Sequence, residues 1–187
     1  MSVEQQNIKH GEIYRFLAQS LKYPDVDWVN NSYWSVLTTL LTELDWLEER
    51  EELTTWRDST SDFLEDLQVE YTRLFINAVP NVLAPPYASV YAHVDGTLYG
   101  PIAEKTKDFY KEKGYTLAQD DIPDHIVYEL EFLAILVEQD QDGYDTFLDT
   151  LFYPWFSKFE EKVIQATEHP FYRTIVKLID FFTREES

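Results

Sequence analysis

Residues 147–163 read FLDTLFYPWFSKFEEKV. Phe147, Leu148, Leu151, Phe152, Trp155, Phe156, Phe159 and Val163 recur at steps of one, three and four. That spacing lines one face of a helix and does not fit the strict alternation of a half-buried strand. Pro154 bends or restarts the helix. The same period continues on both sides. Downstream, Phe171, Ile175, Ile179 and Phe182 carry a last helix beginning near Pro170. Upstream, Ile126, Leu130, Leu133 and Val137, with Val127 and Ala134 beside them, predict a helix that starts at or near Asp124. Gly143 is expected to mark its end. Ile102, Thr106, Phe109 and Tyr110 predict another, stopped by Gly114. Phe63, Leu64, Leu67, Tyr71, Leu74 and Phe75 form a stripe with Ser61 or Asp62 as N-cap. Val36, Leu37, Leu40, Leu41, Leu44 and Leu47 form one more, and Trp46 and Trp56 fall near the connection after it. Ile13, Phe16, Leu17 and Leu21 form the first, closed by Pro24. The sequence predicts an all-α bundle in a single domain.

One stretch breaks the period. Residues 77–101, NAVPNVLAPPYASVYAHVDGTLYGP, hold four of the eight prolines and two of the five glycines, so no long helix runs through them. Asp95-Gly96 is a turn signal that could close a hairpin, but an irregular, partly buried connection fits the prolines better. Tyr87, Tyr91 and Tyr99 give it broad contact surface. A peptide-binding groove and a packed structural crossover are both open readings of this segment.

Charge and composition exclude several functions. Lys and Arg number 15 against 35 Asp and Glu, a formal charge of −20 that repels nucleic acid and anionic membranes. Such acidity suits a highly soluble surface, and equally a surface that attracts a cationic partner. There is no cysteine, which removes disulfides, thiolate metal sites and thiol nucleophiles. The N-terminus shows neither a basic n-region nor an apolar h-region, and no apolar run approaches the roughly 20 residues of a membrane span. A cytoplasmic protein without stable membrane insertion is expected. With 187 residues the chain is long enough for one real core.

Few residues suggest chemistry. Asp124, His125 and Glu129 gather at one predicted helix start, with His125 and Glu129 four apart. They could serve acid/base work, or Asp124 could favour the helix N-terminus with His125 on the surface. His10, His93 and His169 are too scattered to complete a metal site, and HExxH, GxSxG, Walker A and GxGxxG patterns are absent. No metal or cofactor is expected.

Two motifs together resemble a known family. Glu70-Tyr71-Thr72-Arg73-Leu74-Phe75 is followed by Pro85-Pro86-Tyr87-Ala88-Ser89-Val90-Tyr91 and Asp95-Gly96. Further on stands Pro123-Asp124-His125-Ile126-Val127-Tyr128-Glu129-Leu130-Glu131-Phe132-Leu133. In this order and separation they resemble the TorD/DmsD/NarJ family, the molybdoenzyme-specific chaperones or redox enzyme maturation proteins, and the TorD/DmsD branch in particular. The likeness extends over roughly residues 10–184 and is diagnostic from about 70 to 133. It implies one TorD-like all-helical domain over 1–187, its two halves joined by a hinge near 115–125. It implies a non-enzymatic role: binding the twin-arginine leader, the apo form, or both, of a molybdenum-cofactor oxidoreductase of the dimethyl sulfoxide or trimethylamine N-oxide reductase type. Cofactor insertion would be assisted and export delayed. It points to Asp124 and His125 as the leader-binding pair, with Tyr87, Tyr91, Pro86 and Glu129 beside them. A domain-swapped dimer stands beside the monomer as an expected state. In two places the sequence departs from the family pattern: Ala88 stands where Glu is frequent, and the acidic position before the proline is represented by Asp120 and Asp121. Two other readings compete: a hydrolase or nucleotide-handling enzyme using Asp124, His125 and Glu129, and a general acidic adaptor.

Overall fold

The computed structural model describes residues 3–77, 81–92, 98–139 and 141–184. Helix α1 (Val3–Ser20) buries Tyr14, Leu17, Ala18 and, just beyond its end, Leu21. It lies along α7 (Ile126–Gln139), the most extensive helix pairing among the described residues. Gly11 leaves space that the Glu138 side chain of α7 fills. A Cβ there would meet Oε1 of Glu138 at 2.0 Å, and that carboxylate grips Arg15 through two hydrogen bonds of 2.7 and 2.8 Å. Ile126, Leu130, Leu133 and Val137 of α7 are buried as the period predicts, and so are Phe132 and Leu136. A helix covered on more than one side is a central one.

Helix α2 (Asn31–Glu43) starts where the Asn30 side chain accepts the Tyr33 N–H at 3.1 Å. It buries Tyr33, Trp34, Leu37 and Leu41. Val36 is half-exposed, and Leu47 does not belong to this helix. The chain turns at Asp45, whose φ of 60° is left-handed, and Leu47 opens a separate α3 (Leu47–Ser59). The sequence pattern does not announce α3, because only Leu53 along it is buried. Helix α4 (Phe63–Tyr71) is capped by Asp62, which accepts the Glu65 N–H at 3.0 Å, and runs into a π-helical turn at Thr72–Ile76.

The proline-rich connection holds one short helix, α5 (Ala88–Ala92). The expected turn at Asp95-Gly96 lies outside the described residues. Helix α6 (Pro101–Glu112) begins on its proline and is followed by Gly114, whose φ of +77° suits the left-handed residue after a helix end. Gly143 does not end α7: it sits inside α8 (Gln141–Phe147), which continues through a π turn at Leu148–Phe152 into α9 (Tyr153–Ala166). Pro154 therefore stands where the π turn passes into α9, a local irregularity of the helix that accommodates its ring and missing N–H. Helix α10 (Pro170–Arg184) packs on α1, α3 and α9. Phe156, Phe159, Phe171, Tyr172 and Ile175 are fully buried between these helices. Burial of each such side chain is worth about 1.5–3 kcal/mol, so this aromatic layer holds the bundle.

Candidate functional site

The proline-rich connection meets the start of α7 at a short backbone crossing. The Ile126 N–H donates to the Pro86 carbonyl at 3.0 Å, and the Ala88 N–H donates to the Asp124 carbonyl at 3.0 Å. Tyr87 and His125 thus form an isolated antiparallel bridge. Asp124 adds a side-chain bond: its Oδ2 accepts the Ser89 N–H at 2.6 Å. The Ser89 hydroxyl oxygen in turn accepts the Tyr99 N–H at 3.0 Å, and the Tyr110 hydroxyl donates to the Pro123 carbonyl at 3.0 Å. Pro85-Pro86 fixes the backbone on one side and Pro123 on the other, so two non-helical segments are held in register where helices alone could not meet.

A groove of about 490 Å³ opens over this crossing. Tyr87 and His125 form one side, their rings 4.8 Å apart and edge to face. Leu21, Tyr23 and Tyr71 add apolar surface, and Asp120, Asp121, Tyr128, Glu131 and Lys22 add polar groups. Burial pushes the His125 imidazole down to about 4, against a smaller opposing pull from Asp121. At neutral pH it is an uncharged ring whose Nδ1 accepts the Val127 N–H at 3.2 Å. Burial raises the Tyr87 hydroxyl, with a further push from Asp124.

The residues singled out from sequence divide into two sets. Tyr87 and His125 line the groove. Pro86 and Asp124 are buried beneath it as the clasp of the crossing. Asp124 is fully buried, and its Oδ1 has no hydrogen-bond partner among the described residues. Glu129 points the other way, although four residues separate it from His125. His125 precedes the first residue of α7, so the helical face expected to carry both does not include it. Glu129 is fully buried, accepts the Trp155 indole N–H at 3.0 Å, and leaves Oε1 without a partner among the described residues. Burial first, then the charge of Asp124, raises its carboxyl well above the usual range. Tyr91 lies against Trp155 and Phe159 of α9, with Lys162 Nζ 5.2 Å from its ring centre. Ala88, which stands where the family pattern has Glu, is completely buried in the clasp.

Sequence reasoning did not find Lys22, Tyr23, Tyr128 and Glu131. Tyr128 and Glu131 follow His125 by one and two helical turns and are only partly buried, unlike their neighbours Val127 and Leu130. That gap in an otherwise apolar helix was the available signal. Among the described residues no group of three or more His, Asp or Glu gathers to hold a metal ion. No hydrogen bond joins the His125 ring to Asp124 or Glu129, so the three do not form an acid/base relay.

A family model described as the nitrate reductase delta subunit matches residues 37–161. The chain belongs to the TorD/DmsD/NarJ family. Its relatives carry the corresponding chaperone names. A chaperone protein TorD from Vibrio vulnificus is 26% identical over 97% of this chain and 94% of its own. A Tat proofreading chaperone DmsD from Salmonella typhimurium is 29% identical over 61% of this chain and 57% of its own. Among solved structures, a protein from Archaeoglobus fulgidus assigned to redox enzyme maturation superimposes with a TM-score of 0.63. It is 28% identical, over 93% of this chain and 91% of that one. This TorD-type chain is accordingly a molybdoenzyme maturation chaperone and not an enzyme, and the hydrolase reading of Asp124, His125 and Glu129 gives way. No helix among the described residues of this TorD-family chain is long and apolar enough to cross a membrane.

Proposed function

We propose that this chaperone binds the twin-arginine leader of an apo-oxidoreductase of the dimethyl sulfoxide or trimethylamine N-oxide reductase type in the groove over the Tyr87–His125 crossing. It acts in the cytoplasm, holds the client until its molybdenum cofactor is inserted, and delays export. The observation that carries this reading is the pairing, in one groove, of tyrosine and neutral histidine surface with three carboxylates, those of Asp120, Asp121 and Glu131. A leader has a cationic start and an apolar stretch, and the groove offers a counterpart to each. Carboxylates accept guanidinium hydrogen bonds, while Tyr23, Tyr71, Tyr87 and His125 cover the apolar part. The net charge of −20 draws the leader in, within a screening distance of about 8 Å.

On this reading the other site residues act from behind. Asp124 and Pro86 hold Tyr87 and His125 in place, and Glu129 and Tyr91 brace the crossing against α9. Residues 1–187 act as one TorD-like domain with its hinge at 115–125, beside the groove wall, which suits a monomer or a dimer that exchanges halves.

Calorimetric titration with a leader peptide tests the reading. Saturable binding is expected. Tyr87→Ala, with a wild-type melting curve, should weaken it at least tenfold, the size of a central aromatic contact. Replacing the two arginines by lysines should weaken it as well. Equal affinity for both peptides would instead mark a general acidic adaptor, and no binding would remove leader recognition.

A further inference from the structure

Three carboxylates line the groove, and they are not equivalent. Asp120 is exposed, with no hydrogen bond or ion pair to the described residues. Asp121 is engaged twice, by the Tyr128 hydroxyl on Oδ1 and by the Ala118 N–H on Oδ2 at 3.2 Å. Glu131 is engaged by a cation, Lys22 Nζ standing 2.8 Å from its Oε1, and its carboxylate also interacts with the Tyr115 hydroxyl. Lys22 follows the end of α1 and reaches across to α7, with 43% of its side chain exposed and 31% of that of Glu131. Among the described residues it is the one charged base on the groove lining, since His125 is held neutral.

We propose that Lys22 is a built-in placeholder for the ligand's guanidinium, and that its displacement from Glu131 sets the threshold that an incoming cation must exceed to gain affinity there. This rests on the groove being the leader site. In the free protein the ammonium gives Glu131 a single charge-assisted hydrogen bond. An incoming arginine takes over the carboxylate with its planar fork, and Lys22 swings to solvent on its flexible stem. The exchange gains for arginine, because two parallel charge-assisted bonds replace one. For lysine it gains nothing, because one ammonium replaces another of the same kind. The pair is half-exposed, so the displaced contact is weak and opposes arginine only slightly. Without a placeholder, any cation would be rewarded for reaching Glu131. With one, the groove rewards only a cation that binds a carboxylate better than Lys22 does.

The test is titration of the full chain with a synthetic peptide carrying an Arg-Arg pair ahead of an apolar stretch, and with its Lys-Lys counterpart. Lys22→Met, Lys22→Arg and Glu131→Gln are compared with wild type after melting curves establish that each is folded. Lys22→Met should tighten the Arg-Arg peptide by about two- to fivefold, the worth of an exposed pair. It should tighten the Lys-Lys peptide by a similar factor, because both ligands displace the same contact. Lys22→Arg decides the matter. It keeps the charge, so long-range attraction alone leaves affinity unchanged, whereas a stronger placeholder weakens the Arg-Arg peptide. Glu131→Gln should erase the Lys22→Arg effect. Wild-type binding with no change in Lys22→Arg would overturn the placeholder and leave the groove standing. Absence of binding in wild type would overturn both.

Discussion

The cleft between α3 and α10 and the groove over Tyr87 and His125 are both acidic, and the cleft is larger, about 630 against 490 Å³. They differ in construction. The cleft takes its charge from Glu48, Glu51 and Glu52, all exposed on one regular helix. Its other acids are answered on the spot, Glu49 by Lys177 at 3.1 Å and Glu168 by Arg173 at 2.7 Å. The groove stands on a non-helical crossing of two distant segments, with two buried carboxylates behind it that each leave an oxygen without a partner among the described residues. Buried polar groups of that kind are costly, and a fold that keeps them uses the position for more than packing. Volume and charge alone would choose the cleft; backbone geometry and buried polarity choose the groove.

The largest effect expected from this contrast is on stability. Asp124→Ala removes the acceptor of the Ser89 N–H in a buried setting and should cost about 1–3 kcal/mol in urea unfolding, with Asp124→Asn milder. Glu52→Ala in the cleft should stay within about 0.5 kcal/mol. Equal costs at the two positions would break the comparison.

A smaller effect is expected in the pH dependence of stability, where two groups at the crossing act with opposite signs. The native state keeps His125 neutral down to about 4, whereas the unfolded chain takes up the proton near 6.5. Stability from this group is therefore lost as pH falls from 6.5 towards 4. The native state keeps Glu129 protonated well above the 4.5 of the unfolded chain. Stability from that group is full below 4.5 and is lost as pH rises beyond it. His169, also lowered by burial, adds to the acid-side loss, and Glu160, raised to about 7 by burial and Asp180, adds to the loss on the other side. Difference curves against wild type isolate each group. His125→Gln should flatten the acid side and Glu129→Gln the opposite side. Either variant tracking the wild type throughout would contradict the assigned protonation states.

Much of the fold was legible in the sequence because burial of one helix face leaves a periodic trace. The stripes of α1, α4, α6, α7, α9 and α10 gave such traces. Helix α3 did not, since it touches the core through Leu53 and carries glutamates elsewhere. Gly143 misled because a glycine within a helix resembles one that ends it. The crossing was legible only in part. The motifs named Tyr87, His125 and Asp124, but spacing could not say that Asp124 faces inward to Ser89 or that Glu129 turns to Trp155. Those directions depend on where α7 begins, one residue after His125, and helix boundaries are the least readable feature of a sequence. Lys22 and Glu131 meet only because α1 and α7 pack lengthwise, which is a tertiary fact.

The central claim is that the groove, and not the cleft, receives the arginine pair. Photo-crosslinking tests it most directly, using a leader peptide with a photoreactive phenylalanine beside the arginines, followed by peptide mapping. Crosslinks are expected to fall on the segments holding Tyr87 and on residues 120–131. Crosslinks confined to residues 48–56 and 168–177 would place the leader in the cleft and contradict the claim.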